Sequence, residues 1–243
     1  MTIHLPFLDP RRPDDFPPVG EALREPDGLL AAGGDLSPAR LLAAYRRGIF
    51  PWYSRGQPIL WWSPDPRTVY PTDRMHVPRR LARWLRGCNW TITADAAFER
   101  VLDGCAAPRA NQRGTWINAD MRAAYARLHE LGHAHSVEAW DGDALAGGIY
   151  GVAIGRMFFG ESMFSAADQG SKVALLALAR ALSAWEFPLL DAQVASPHLF
   201  TLGAVELDRA EFCRRVAVLA AMPGVDGTWR TVFPASTPAG LAG

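Results

Sequence analysis

Four prolines (Pro51, Pro58, Pro64 and Pro66) fall between Gly48 and Arg67, in the string "GIFPWYSRGQPILWWSPDPR". Proline removes a backbone donor and fixes φ, so this stretch is expected to form neither a helix nor a central strand. It divides the chain, and a boundary is placed at "SPDP": a small N-terminal domain over 1–65 and a larger one over 66–243. The stretch also carries Trp52, Trp61 and Trp62. Rings at such density either pack between domains or await a planar ligand. Trp61 and Trp62 fit the first role.

Charge is distributed unevenly. Residues 36–86 hold ten arginines against Asp65 and Asp73, whereas the whole chain balances 25 basic with 25 acidic residues. Clustered arginine attracts phosphate, and arginine beside tryptophan is the pairing used on unpaired nucleic acid. A solvated basic face is the other reading. Lys172 is the only lysine. Either it survives by chance or it stands where a compact charge serves better than a planar fork. Cys88, Cys105 and Cys213 are odd in number and widely spaced, which fits a reducing compartment and neither a disulfide framework nor a zinc pattern. No basic-then-apolar leader opens the chain, and the twelve-residue run "ALAGGIYGVAIG" is too short for a membrane span. The expected location is cytoplasmic.

Periodicity predicts a helix capped by Asp35 or Ser37, with Pro38 in its first turn and Gly48 at its end. A second helix enters through Pro78 and carries Arg79, Arg80, Arg83 and Arg86. The expected sequel is strand "WTITAD", helix "DAAFERVLDGCA", helix "NADMRAAYARLHELG", strands "HSVEAWD", "ALAGGIYGVAIG" and "RMFFGESMFS", an apolar helix from "SKVALL", strand "PLLDAQV" and helix "DRAEFCRRVAVLA". The last dozen residues read as a frayed tail. His133 and His135 alternate as a metal pair might, but no third ligand of matching spacing stands out and no metal is expected. The fold class is α+β with a mixed sheet, and the order is similar to that of GNAT-like N-acyltransferases. Their acyl-CoA users carry a Gln/Arg-x-x-Gly-x-Gly/Ala loop before the long helix; "SAADQGSK" lacks it, which argues against a CoA donor.

Three strings, "GGDLSPARLLAAYRRGIFPWYSRGQPILWWSPDPR", "GTWI" with "ELGHAHSVE", and "GGIYGV…FFGESMFS…SK…LLDAQV", closely resemble the leucyl/phenylalanyl-tRNA–protein transferases over most of 16–215. The resemblance implies a GNAT-like catalytic domain behind a small N-terminal α/β domain. It implies transfer of Leu or Phe, with Met also open, from aminoacyl-tRNA to proteins beginning with Arg or Lys, which marks them for degradation. It implies a monomer with no cofactor. It places Trp52 and Trp116 at the terminal adenosine of the tRNA, with Tyr45 lining the entrance and Arg79, Arg80, Arg83 and Arg86 on tRNA phosphates. Ile149, Phe158, Met163, Leu175, Leu178 and Leu190 would line the aminoacyl pocket. Ile149 and Leu178 stand where larger Met and Phe are common in the family, so the donor ranking stays open. Asp191 and Gln193, two apart and expected on one strand face, fall at the reacting centre, with Ala192 between them facing away. Glu161 is a second carboxylate, suited to a cationic acceptor or donor amine. Lys172 would brace the catalytic loop and His198 would tune Asp191. A CoA-dependent N-acetyltransferase of GNAT type is the alternative function, and RNA binding without catalysis a third.

Overall fold

The computed structural model describes residues 5–107, 117–234 and 236–242. The chain forms β1 (Phe7–Leu8), β2 (Leu29–Gly33), α1 (Pro38–Tyr45), β3 (Phe50–Pro51), β4 (Leu60–Trp62), β5 (Arg67–Pro71) and α2 (Arg79–Arg86). Next come β6 (Thr91–Ala94), α3 (Phe98–Ala106), α4 (Ala119–Glu130), β7 (Ala134–Asp141), β8 (Ala144–Ile154) and β9 (Met157–Ser165). The last are α5 (Gly170–Ala184), β10 (Leu189–Gln193), α6 (Pro197–Phe200), β11 (Val205–Leu207) and α7 (Arg209–Leu219).

Two mixed sheets result. A four-stranded sheet runs β1-β2-β4-β3, and a seven-stranded sheet runs β11-β5-β10-β9-β8-β7-β6. The chain leaves the first sheet at Trp62 and enters the second at Arg67, across the expected boundary. In the large sheet β9 and β10 are parallel and the other pairs antiparallel. One face packs Tyr150, Val152 and Phe159 against α3, α4 and the small sheet. The opposite face packs Ile149, Phe158 and Leu190 against α2 and α5. This alternation is the period of two that a strand imposes.

Local chemistry sets the helix starts. Ser37 Oγ accepts from Arg40 N at 3.4 Å and Pro38 opens α1; Asn118 Oδ1 accepts from Met121 N at 3.0 Å to cap α4. α5 lies unusually close to β8. A Cβ on Gly147 would come within 2.4 Å of the Gly170 backbone, so only glycine lets the helix start there.

One strand absent from the expected order appears, and three expectations are corrected. "RTVYP" is a strand, β5, paired on both sides by β10 and β11. The C-terminal segment is packed: Trp229 is fully buried, and a 3₁₀ turn over Pro238–Ala242 buries Leu241 and Ala242 in the same cluster as Leu81 and Leu85 of α2. The proline-rich stretch does supply an inner strand, because β4 pairs with both β2 and β3 and the prolines fall outside Leu60–Trp62. Trp61 and Trp62 pack within the N-terminal part. Trp61 is buried, edge-on to Phe16 at 5.0 Å, and donates to Gly33 O; Trp62 Nε1 donates to Trp52 O at 2.6 Å.

Candidate active site

Two β-bulges in neighbouring strands build the site. Tyr150 pairs with Ser162 and Gly151 with Gly160, so Glu161 is the residue β9 leaves unpaired. Asp191 pairs with Val69 and Gln193 with Thr68, so Ala192 is the unpaired residue of β10. Pairing between β9 and β10 stops at Phe159 and Asp191. Bulges bend strands and re-aim side chains, and here the two strands part. Into the gap opens a cavity of about 100 Å³ lined by Tyr70, Ile149, Met163, Leu175, Leu190 and Leu199, with Gly160, Glu161, Ser162, Asp191 and Ala192 at the bulges.

Glu161 is almost fully buried and has three donors around it. Tyr45 Oη reaches Oε1 at 2.7 Å, Tyr125 Oη reaches Oε2 at 2.7 Å, and Gln193 Nε2 reaches Oε1 at 2.8 Å. The two phenol oxygens are themselves 2.5 Å apart. Three oxygen–oxygen contacts thus close a ring. Each phenol supplies one proton, so an ionised Glu161 leaves one contact without a proton and a protonated Glu161 fills all three. Burial, with Asp191 adding like charge, raises the Glu161 carboxyl to about 7 against the lowering pull of its donors. Burial and the Glu161 charge also push the Tyr45 and Tyr125 phenols up. Tyr150 Oη is buried beside them and has no hydrogen-bond partner among the described residues.

Asp191 is fully buried and held by Arg67. Nε donates to Oδ1 at 2.8 Å and Nη2 to Oδ2 at 2.7 Å, a bidentate pair. Arg67 Nη1 donates to Gly48 O at 3.0 Å, and the guanidinium lies 4.7 Å from the Phe50 ring and 4.6 Å from the Phe212 ring. Asp191 Oδ1 also accepts from Gln193 N at 2.9 Å. Gln193 has φ +63°, a strained value for a side-chain-bearing residue. The expected strict alternation from Asp191 to Gln193 is therefore broken, and Asp191 holds the Gln193 backbone while the Gln193 amide turns to Glu161.

The expected residues divide as follows. Ile149, Met163, Leu175 and Leu190 line the cavity; Phe158 and Leu178 are buried in the core behind it. Tyr45 is fully buried beside Glu161 and does not line an open entrance. Trp52 is exposed, 44%, with its ring 5.6 Å from that of Trp62. Trp116 lies outside the described residues. Arg79, Arg80, Arg83 and Arg86 are all exposed on α2. Two arginines counted with them are not: Arg67 and Arg40 are buried and paired with Asp191 and Asp35, so the basic surface is smaller than the sequence count. Lys172 donates to Gln169 Oε1 at 2.7 Å at the start of α5. His198 lies on α6, its pKa lowered by burial and by Lys172. His135 Nδ1 donates to Asp95 Oδ2 at 2.9 Å, and the ring stacks on Trp229 at 4.0 Å. Arg67, Tyr125, Tyr70 and Leu199 escaped the sequence reading. Arg67 was hidden because a buried arginine has no sequence mark apart from its distant acid.

Residues 69–217 match the family model "Leucyl/phenylalanyl-tRNA protein transferase", and residues 34–65 match that of its N-terminal domain. A leucyl/phenylalanyl-tRNA–protein transferase from Xanthomonas axonopodis pv. citri (strain 306) is 61% identical over 94% of this chain and 93% of its own. One from Xanthomonas campestris pv. campestris (strain 8004) is 56% identical over 99% of this chain and 96% of its own. A functionally unknown conserved protein from Staphylococcus epidermidis ATCC 12228 aligns in structure at 11% identity and TM-score 0.39, covering 74% of this chain and 68% of that one, a likeness too slight to argue from.

Proposed function

This chain belongs to the leucyl/phenylalanyl-tRNA–protein transferase family and is a tRNA-dependent aminoacyltransferase; from that premise we propose that the cavity between β9 and β10 holds the aminoacyl side chain and that Glu161 manages the proton of the reaction. The observation that carries this is the cavity itself, apolar in its walls and bordered by the Glu161 and Asp191 carboxylates, with the Gln193 amide donating to Glu161. The donor ester is already activated. The α-amine of the acceptor attacks its carbonyl carbon, the bond to the ribose oxygen breaks, and that oxygen takes up the proton the amine gives away. A carboxyl titrating near 7 can carry that proton in both directions near neutral pH. Asp191 has both oxygens on Arg67, so its part is to fix the Gln193 backbone, and the Gln193 amide in turn positions Glu161. Holding ester and amine together supplies about 7–11 kcal/mol of the barrier lowering.

The same reading keeps the domain division at 65/66 and a GNAT-like catalytic part, and it is supported by the change of sheet between Trp62 and Arg67. Trp52 with Trp116 takes the terminal adenosine. Acceptors begin with Arg or Lys, and Leu and Phe are the donors' amino acids. The protein works as a monomer in the cytoplasm.

The cavity's size makes the test. Ile149→Phe narrows it and should lower kcat/KM for a phenylalanyl donor about tenfold more than for a leucyl donor, the scale of discrimination an apolar pocket gives. An unchanged Phe-to-Leu ratio would place the side chain elsewhere.

A further inference from the structure

A second concavity lies one short helix away from the first. It has a volume of about 250 Å³ and sits between α2 and α5, lined by Arg80 and Trp84 from α2, Asp168, Gln169 and Lys172 at the start of α5, and Thr201. α6 is the wall between the two: Leu199 lines the first cavity, Thr201 and Leu202 the second. Four residues of helix span about 6 Å at 1.5 Å per residue. The burial-lowered His198 on that wall feels the Lys172 charge, which places the ammonium in electrostatic reach of α6.

The cleft is built for an anion with a flat neighbour. Gln169 stands at φ +69°, a conformation side chains avoid, and its amide links two groups. Its Nε2 donates to both oxygens of Asp168 at 2.8 and 2.9 Å, while its Oε1 takes the Lys172 ammonium at 2.7 Å. The amide thus bridges the acid and the lysine, whose ammonium has one of its three donors used. Arg80 is exposed on the opposite wall. Trp84 is half-buried and braced edge-on against Trp90 at 5.1 Å. Lysine and arginine hold phosphate, and an indole gives any base a stacking surface whatever its sequence. The only lysine of the chain then has a use in which its compact ammonium fits a narrow cleft.

We infer that this cleft is a second nucleotide subsite, which takes the phosphodiester and base next to the terminal adenosine of the donor RNA. The inference rests on the reading of the donor as aminoacyl-tRNA and of the first cavity as the aminoacyl site. It leads the donor from the exposed arginines of α2, past Arg80 and Lys172, over α6 and into the gap between β9 and β10.

Two synthetic donors separate the subsite from the rest: 3′-O-leucyladenosine, which has no phosphate, and its leucyl-CpA counterpart, which adds one nucleotide. Transfer of labelled leucine to an Arg-starting peptide is followed for each. For the unaltered protein, KM for leucyl-CpA should be about tenfold lower than for leucyladenosine, the worth of one charge-assisted hydrogen bond. In Lys172→Gln and in Arg80→Gln the ratio of the two KM values should fall towards one, with Lys172→Arg retaining part of it. A ratio that stays at its original value in both glutamine variants overturns the subsite. So does an unaltered protein that uses both donors equally well. An unaltered protein inert towards both leucyl donors and towards leucyl-tRNA overturns the reading of the donor on which the subsite depends, a different failure; one active on leucyl-tRNA but on neither short donor overturns the subsite.

Discussion

In the proposed mechanism, Glu161 is the residue on which proton traffic turns. A glutamate in an unfolded chain titrates near 4.3, whereas burial among Tyr45, Tyr125 and Asp191 raises this one to about 7. Between those values the folded state binds the proton more tightly than the unfolded state. Stability therefore falls as pH rises through that window, by roughly 4 kcal/mol at most. Glu161→Gln removes the titration. Relative to the variant, the unaltered protein should lose melting temperature between pH 5 and pH 8; parallel melting curves would remove the shift. Turnover gives the second readout. The acidic limb of kcat, falling below about pH 7, should vanish in Glu161→Gln together with most of the rate. The sequence offered "GES" as a carboxylate near a strand end, but not its environment. Tyr45 and Tyr125 come from α1 and α4, 116 and 36 residues away, and Glu161 meets them because β9 has a bulge that no local pattern marks.

At the scale of elements, helices were legible and the joints between strands were not. Pro38 after Ser37, Pro78 before Arg79 and Gly132 after α4 are local signals, and the helices start and stop near them. β5 was missed because "RTVYP" follows "SPDP" and is defined by its partners β10 and β11, which lie more than a hundred residues on. The tail was missed for the same reason. Its anchor is Asp95, whose Oδ2 accepts from Trp229 N at 2.7 Å, while His135 stacks on the Trp229 ring. The tail continues to the 3₁₀ turn against α2, so it clamps the helix that displays the exposed arginines. Trp229→Ala should cost about 3–5 kcal/mol, as large-to-small changes of buried aromatics do, read by denaturant unfolding. A loss below about 1 kcal/mol, the range of surface changes, would return the tail to a loose appendage.

Across the whole molecule, one buried ion pair joins the parts. Arg67 opens β5, binds Asp191 on β10, reaches the Gly48 carbonyl behind α1 and lies between Phe50 of the small sheet and Phe212 of α7. The sequence reading counted Arg67 among surface charges and Asp191 among catalytic groups, when the two neutralise each other inside the protein. Among the described residues no helix is long and apolar enough to cross a membrane. In the proposed reading, the exposed arginines of α2, the cleft at Lys172, the gap between β9 and β10 and the Glu161 ring form the path of an RNA-borne ester. The most direct measurement offers the purified protein an Arg-starting peptide with labelled leucyl-tRNA or with labelled acetyl-CoA. Label should reach the peptide from leucyl-tRNA alone; label from acetyl-CoA, with none from leucyl-tRNA, would contradict it.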